Sequence, residues 1–298
     1  MQSSRTEYIE ETRVAKPLRA SVPQAALRPG AAKQKGEGIR RLGREAVYGG
    51  QLALVNREHP VRDFHNPVLK GVADADLHVL EEEIALETEC LGQLGKLIRA
   101  AGAWEDIVVV SGFRTMEEQK AIYNGSLAEN GPVFTANYVA LPGCSEHQTG
   151  LAVDVGEKTS GELDFIAPSF PDHGACAVFK TLAASYGFIQ RYKEGKEELT
   201  GIACEPWHFR YVGVPHAACM ESLNMCLEEY IAYLRDFSYA GKRLEHAGDG
   251  WSAESYYVVA HRDGDTPVPI PACDAYRISG NNADGFIVTV YYGDGHEI

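Results

Sequence analysis

Short apolar runs along the chain predict strands. Residues 107–110 read Ile-Val-Val-Val, an unbroken run expected of a buried strand. Residues 150–155 read Gly-Leu-Ala-Val-Asp-Val, whose alternation predicts a half-buried strand with Ala152 and Asp154 on one face. An Asp in that setting is costly unless something cationic meets it. At 205–213, Glu-Pro-Trp-His-Phe-Arg-Tyr-Val-Gly, the residues Trp207, Phe209 and Tyr211 alternate with His208, Arg210 and Val212, giving an aromatic face and a polar face. Strands are also expected at 188–192 and early on, from Leu52, Leu54 and Val55.

Helical spacing of Leu77, Leu80, Ile84, Leu91, Leu94 and Ile98 predicts one long amphipathic helix from Asp76, stopped by Gly102. Thr115 and Glu118 form a capping-box signature, so a second helix starts right after Arg114. That leaves Arg114 at a strand end and Gln119 on the first helical turns. A helix closed by Gly187 precedes the 188–192 strand, and one helix or two follow Pro215.

The grammar divides the chain into three. Residues 1–47 mix Pro, Gly, Ala and charge without an apolar period, which predicts a flexible basic segment. Residues 48–238 hold the strands and helices above. Residues 239–298 are rich in aromatic and β-branched residues broken by Asp-Gly at 263–264 and 284–285, which predicts two hairpins or a small sheet. The cluster Ser-Gly-Asn-Asn-Ala-Asp-Gly at 279–285 reads as a tight turn.

Charge and cysteine content narrow the function. The first 47 residues carry a net +5 against −14 for the whole chain, leaving −19 on the remainder, which excludes nucleic acid as the main partner. No run approaches the roughly 18 apolar residues of a membrane helix. With no apolar core of a signal peptide at its start, the chain as written is expected in the cytoplasm; the alternative is the cell envelope, if an anchor lies upstream. Seven Cys at irregular spacing argue against a disulfide scaffold. Cys144 and Cys204 each precede one of the two polar motifs, so these thiols are the ones expected close enough to pair if the motifs meet.

Those motifs carry the chemistry. His147, the following Gly150 and Asp154 form a turn and strand that can bring imidazole and carboxylate to one point, and His208 is the best third ligand. Two imidazoles and one carboxylate leave a zinc ion an open position and a net charge that keeps it a Lewis acid. Glu205 would point away from His208 in a regular strand, but Pro206 disturbs that regularity and lets the carboxylate serve as general base. Arg114 would then stabilise an oxyanion.

The segments Ser-Gly-Phe-Arg-Thr (111–115), Ser-Glu-His-Gln-Thr-Gly-Leu-Ala-Val-Asp (145–154) and Glu-Pro-Trp-His (205–208) resemble, in order and spacing, the VanY-type D-alanyl-D-alanine carboxypeptidases. These belong to the zinc peptidase superfamily that includes lysostaphin-type enzymes and the hedgehog domain. The resemblance covers about residues 50–236 and implies an α+β fold: a compact domain with a small antiparallel sheet flanked by helices, here with a small C-terminal β extension. It implies one zinc ion on His147, Asp154 and His208, Glu205 as base, and Arg114 on the scissile carbonyl. Gln119 and Ser145 match positions that contact the terminal D-alanine. Phe113 and Thr115 replace the usual Tyr and Ser of the first motif. The implied partner is a peptidoglycan stem peptide or its precursor, cut at D-Ala-D-Ala. L,D-carboxypeptidase and VanX- or VanXY-type dipeptidase activities are the alternatives within the superfamily. The alternatives of a different functional class are a zinc-binding recognition module without catalysis, as the hedgehog domain exemplifies, and a role for 239–298 in binding cell wall or a partner.

Overall fold

The computed structural model describes residues 18–19, 32–34, 36–62, 67–159, 161, 163–248 and 251–293. In chain order the first elements are β1 (Leu18–Arg19), β2 (Ala32–Gln34), β3 (Gly38–Leu42), β4 (Leu69–Gly71), β5 (Ala85–Glu87), α1 (Thr88–Ala100), β6 (Ile107–Ser111), α2 (Met116–Tyr138) and β7 (Ala152–Glu157). Then come α3 (Gly174–Ala183), β8 (Phe188–Tyr192), α4 (Glu197–Thr200), β9 (Glu205–Tyr211), α5 (Val214–Leu223) and α6 (Leu227–Leu234). The last strands are β10 (Leu244–Gly248), β11 (Trp251–Val259), β12 (Thr266–Ile270), β13 (Cys273–Gly280) and β14 (Gly285–Tyr292).

The functional part is built on a four-stranded antiparallel sheet in the order β6-β7-β9-β8. Its apolar residues Val109, Val153, Val155 and Phe209 share a core with Leu91, Leu94 and Ile98 of α1 and Phe179 of α3. Phe170, Phe179 and Phe209 meet edge to face, with ring centroids 5.0–5.8 Å apart. The register sets Asp154 opposite His208, and Ser111 opposite Asp154 on the other side. Mixed helices and small antiparallel sheets are what the sequence implied, and both faces of the central sheet are covered: Arg210 on the expected polar face is as buried as Phe209 on the aromatic one.

Several expectations are corrected by tertiary contacts. The long helix from Asp76 is helical only as α1, over Thr88–Ala100. Upstream, residues 78–80 give their backbone to β6, through Leu80 N–H to Val109 O and Val109 N–H to His78 O, both 2.8 Å. β5 pairs with β4. The Glu87 carboxylate then caps α1, accepting the Glu89 and Cys90 amides at 2.9 and 3.0 Å. Leu52, Leu54 and Val55 are buried but form no strand. Their neighbourhood is held by loops and side chains instead: Leu52 N–H donates to Ser279 Oγ, Leu54 N–H to Asn281 O, and Arg210 to the carbonyls of Gln51 and Ala53. Cys144 and Cys204 are free thiols.

The expected flexible segment 1–47 is also corrected at its end. β3 pairs with β12, and a 3-10 helix, Arg44–Tyr48, seats Val47 in a core with Tyr256, Phe286 and Val288. Apolar cover from the C-terminal strands, invisible locally in the sequence, orders this stretch. Residues 1–17 and 20–31 lie outside the described residues.

Strands β1-β10-β11-β14-β13-β2 form a six-stranded sheet, of which the Asp-Gly at 284–285 turns the β13–β14 hairpin. The other expected hairpin does not form, because β11 pairs with β14 and β12 with β3. β12 reads Thr-Pro-Val-Pro-Ile, so alternate residues lack an N–H and one edge cannot join a ladder. One face of the six-stranded sheet lends Trp251, Ala253, Ala275 and Tyr291 to the core of the central sheet. Polar contacts reinforce it: Arg277 grips Glu89 with bonds of 2.8 and 3.0 Å, and Glu89 also accepts the Tyr211 hydroxyl at 2.8 Å. Among the described residues no helix is long and apolar enough to cross a membrane.

A buried chain of hydrogen bonds also ties helices α5 and α6 to the six-stranded sheet. His216 on α5 meets Tyr230 and Thr289, Thr289 meets Ser255, and Ser255 meets His246, all at 2.8–3.1 Å. Burial pushes His246 down to about 4, and burial with His246 and Arg277 nearby pushes His216 well below its ordinary value. In the unfolded chain both take up a proton near pH 6.5. Their contribution to stability is therefore complete above that pH and lost as pH falls, for His246 toward about 4 and for His216 in the same direction. Urea midpoints followed from about pH 7.5 to about pH 4.5 should fall, and His246→Gln should flatten part of the fall. Parallel pH profiles for the two proteins would refute this.

Candidate metal centre and cleft

The turn before β7 is a single 3-10 turn, Glu146–Thr149, closed by Gly150 at φ 70°. A Cβ on Gly150 would sit 3.2 Å from the Glu87 amide nitrogen and 3.0 Å from Leu69, so both the conformation and the space require glycine. The turn delivers His147 next to Asp154, with Nε2 3.1 Å from Asp154 Oδ2. The β7–β9 register delivers His208, whose Nδ1 is 2.8 Å from Asp154 Oδ1. The two imidazole rings lie edge to face at 5.0 Å, and one donor atom from each of His147, Asp154 and His208 falls within 4.8 Å of the others.

Electrostatics at this point are unbalanced in a telling way. His147 Nδ1 lies 2.6 Å from the Gly112 carbonyl, which can only accept, so Nδ1 carries the proton and donates. Burial, with Arg114 beside it, pushes His147 down to about 4, so near neutrality Nε2 bears a lone pair. That lone pair faces a carboxylate oxygen across 3.1 Å, acceptor against acceptor. A cation between them relieves the clash. Burial alone would raise Asp154, but His147 and His208 hold it far below the carboxylate range. Burial would lower His208, yet Asp154 and Glu146 raise it to about 9. A divalent ion here would displace that proton and satisfy all three donors, so the residues fit a small cation with N/O preference such as zinc.

Glu205 sits beside the triad with Oε2 3.9 Å from His208 Nδ1. The β8–β9 ladder shifts register between Gln190 and Tyr192, at the end where Tyr192 pairs with Glu205, and this irregularity accompanies the inward carboxylate. Burial pushes Glu205 up to about 8, with Asp154 adding to the rise and His208 and Arg114 opposing it. Arg114 follows β6, its amide donating to His147 O at 3.2 Å, and its buried Nε has no partner. Thr115 caps α2 through the expected box with Glu118. That fixes the first turn and holds Gln119, whose amide nitrogen donates to Ala140 O at 2.8 Å while Oε1 stays unpartnered. Ser145 is buried just before the 3-10 turn. The structure thus brings Arg114, Gln119, Ser145, His147, Asp154, Glu205 and His208 to the lining of one cleft, partly open to solvent.

Sequence reasoning missed the charges behind the cleft. Glu146 is 1% exposed and accepts Arg191 Nε and Arg210 Nη1, both at 2.8 Å. Arg191 in turn makes two bonds of 2.6 and 2.8 Å to Glu228 of α6. Tyr192, with its ring 4.9 Å from that of His208, and Phe165 and Trp207 add aromatic walls. The signal was present: Arg191 and Arg210 interrupt buried strands just as Asp154 does, and the same question about a partner applies to each.

A family model described as VanY, D-alanyl-D-alanine carboxypeptidase, matches residues 82–214. The chain is 46% identical over 186 residues to the bifunctional D-Ala-D-Ala dipeptidase and D-Ala-D-Ala carboxypeptidase VanXYC of Enterococcus gallinarum, covering 61% of this chain and 94% of that protein. Among solved structures it is similar to the vancomycin resistance D,D-dipeptidase VanXYg in complex with a D-Ala-D-Ala phosphinate analog: TM-score 0.80, 42% identity, covering 86% of this chain and 99% of that one. It is also similar to a mutant of the D,D-pentapeptidase VanY from a VanB-type resistance cassette in complex with Zn(II): TM-score 0.50, 31% identity, covering 61% of this chain and 98% of that one. With the fold, the cleft and these likenesses in agreement, the chain belongs to the VanY family of D-alanyl-D-alanine carboxypeptidases.

Proposed function

We propose that this protein is a zinc-dependent D,D-carboxypeptidase that hydrolyses the terminal D-Ala-D-Ala bond of peptidoglycan stem peptides or their precursors. One observation carries the reading: the donor atoms of His147, Asp154 and His208 converge within 4.8 Å beside a buried carboxylate, Glu205. The VanY relative in complex with Zn(II) supports the choice of metal. One zinc ion held by these three residues would supply Lewis acidity at neutral pH.

The chain's own groups do the rest. Glu205, raised by burial to about 8, takes the proton of the attacking water and returns it to the leaving amine. The charge of a bound cation draws this carboxyl back down, so it is a base rather than a permanent acid at neutral pH. Arg114 lines the cleft with a buried Nε–H that has no partner in the protein, and this donor would meet the developing oxyanion. Ser145 Oγ can donate to the substrate's terminal carboxylate. Gln119 has committed its N–H₂ to Ala140, so its free Oε1 accepts, which suits the N–H of the terminal D-alanine rather than its carboxylate.

A second reading, D-Ala-D-Ala dipeptidase activity alongside carboxypeptidase, is favoured by the likeness to the bifunctional VanXYC. D-Alanine release from a stem pentapeptide, the matching tetrapeptide and free D-Ala-D-Ala separates the two. We expect chelator-sensitive release from the pentapeptide, restored by zinc; added release from the dipeptide identifies a bifunctional enzyme. Release only from the tetrapeptide would make it an L,D-carboxypeptidase, and no release from a zinc-loaded protein would leave a recognition module.

Glu205→Gln should lower kcat by about 10²–10⁴-fold while the protein still binds zinc. Full turnover in that variant would remove Glu205 from the mechanism.

A further inference from the structure

The two nitrogens of His208 face different worlds. Nδ1 meets Asp154 at 2.8 Å on the cleft side. On the opposite side Nε2 lies 3.6 Å from Glu146 Oε2, and neither of these buried atoms has a hydrogen-bond partner. The other oxygen, Oε1, is pinned by Arg191 and Arg210, two fully buried guanidiniums. Glu146 is therefore held at one end and aimed at the ring with the other.

We infer that Glu146 is a positioning residue that fixes the tautomer of His208, accepting Nε2–H so that Nδ1 keeps its lone pair for the metal. The inference rests on the zinc reading above. A carboxylate only accepts, and a neutral imidazole has one N–H to give, so pointing Oε2 at Nε2 settles which nitrogen is free. His147 is served in the same way by a different group, the Gly112 carbonyl on Nδ1. Each imidazole thus has its own outer acceptor, the arrangement by which ligand histidines are oriented and made more basic. His208 receives the charged one. Closing a gap of 3.6 Å by a few tenths of an ångström satisfies both orphaned atoms.

The decisive substitution is Glu146→Gln. The two arginines claim the amide oxygen, which turns the amide N–H₂ toward Nε2, donor against donor. His208 must then carry its proton on Nδ1, where the lone pair is needed. Zinc affinity, measured by competition with a chelator of known strength, should weaken by about 10- to 100-fold. In zinc-loaded wild type labelled with ¹⁵N-histidine, His208 should show a protonated Nε2 and a metal-shifted Nδ1. Wild-type affinity in Glu146→Gln, or zinc on Nε2 of His208 in the wild type, overturns the assignment. The wild-type spectrum decides the matter even if the variant fails to fold. A wild type that takes up no zinc sinks the metal reading itself, whereas zinc uptake with an unaffected variant sinks only the role of Glu146.

Discussion

Two carboxylates buried on either side of one histidine ring constrain everything else in this molecule. Asp154 and Glu146 are 6% and 1% exposed, and a carboxylate so placed is held only by charges brought to it. Glu146 draws in Arg191 from β8 and Arg210 from β9, and Arg191 draws in Glu228 from α6. Removing one partner of such a set leaves a bare buried charge, which typically costs about 3–5 kcal/mol. The 3-10 turn that carries Glu146 also carries His147, so the charge network and the His147–Asp154–His208 cluster meet in the same four residues. Neither can shift without the other.

The C-terminal sheet belongs to this arrangement through Arg210. That guanidinium donates to Glu146 and to the carbonyls of Gln51 and Ala53. The 51–54 segment has no ladder of its own and is held from the other side by Ser279 and Asn281, while Asn282 donates to the carbonyls of Leu54, His59 and Pro60. The turn at 279–285 is a tight turn, as its composition suggested, and also a clasp. Its grip keeps the carbonyls in place that hold Arg210, and Arg210 keeps Glu146 turned. A stretch without a catalytic motif thus supports the site across several bonds, and the shared apolar core explains why it is packed rather than tethered.

How much of this could be read in the sequence depends on how local the cause is. The strands at 107–111, 152–157 and 205–211 and the cap of α2 follow from a few neighbouring residues, and they were legible. The cleft residues were also named, since His147, Asp154 and His208 stand in short motifs and Glu205 lies next to a proline. Segments whose fate is decided by distant partners were misread. Residues 76–87 had a helical apolar period, but β6 offered their backbone another bond, and residues 38–47 looked unstructured because their cover comes from strands two hundred positions away. The arginines behind the site were overlooked for a different reason. A charge in a strand reads as a solvent face, and only the closed packing of both sheet faces shows that Arg191 and Arg210 have no solvent to meet.

The two charge clusters around His208 differ in one respect that separates support from chemistry. Behind the ring, Glu146 and Glu228 face Arg191 and Arg210, two negative groups against two positive, and nearly every oxygen and nitrogen there is matched within the protein. Its one spare acceptor, Glu146 Oε2, points at His208. In front of the ring the protein does not close its own account: His147 and Asp154 meet lone pair to lone pair, and Arg114 Nε and Gln119 Oε1 are buried without partners. A structural core leaves few such groups unsatisfied, and here they share one wall of one cleft. An acceptor clash that a cation would relieve, an unpaired donor and an unpaired amide oxygen are together what the proposed hydrolysis of a peptide bond at a metal would require. The neutral cluster is matched within the protein, and its rigidity is what allows the cluster in front to keep its unpaired groups in place.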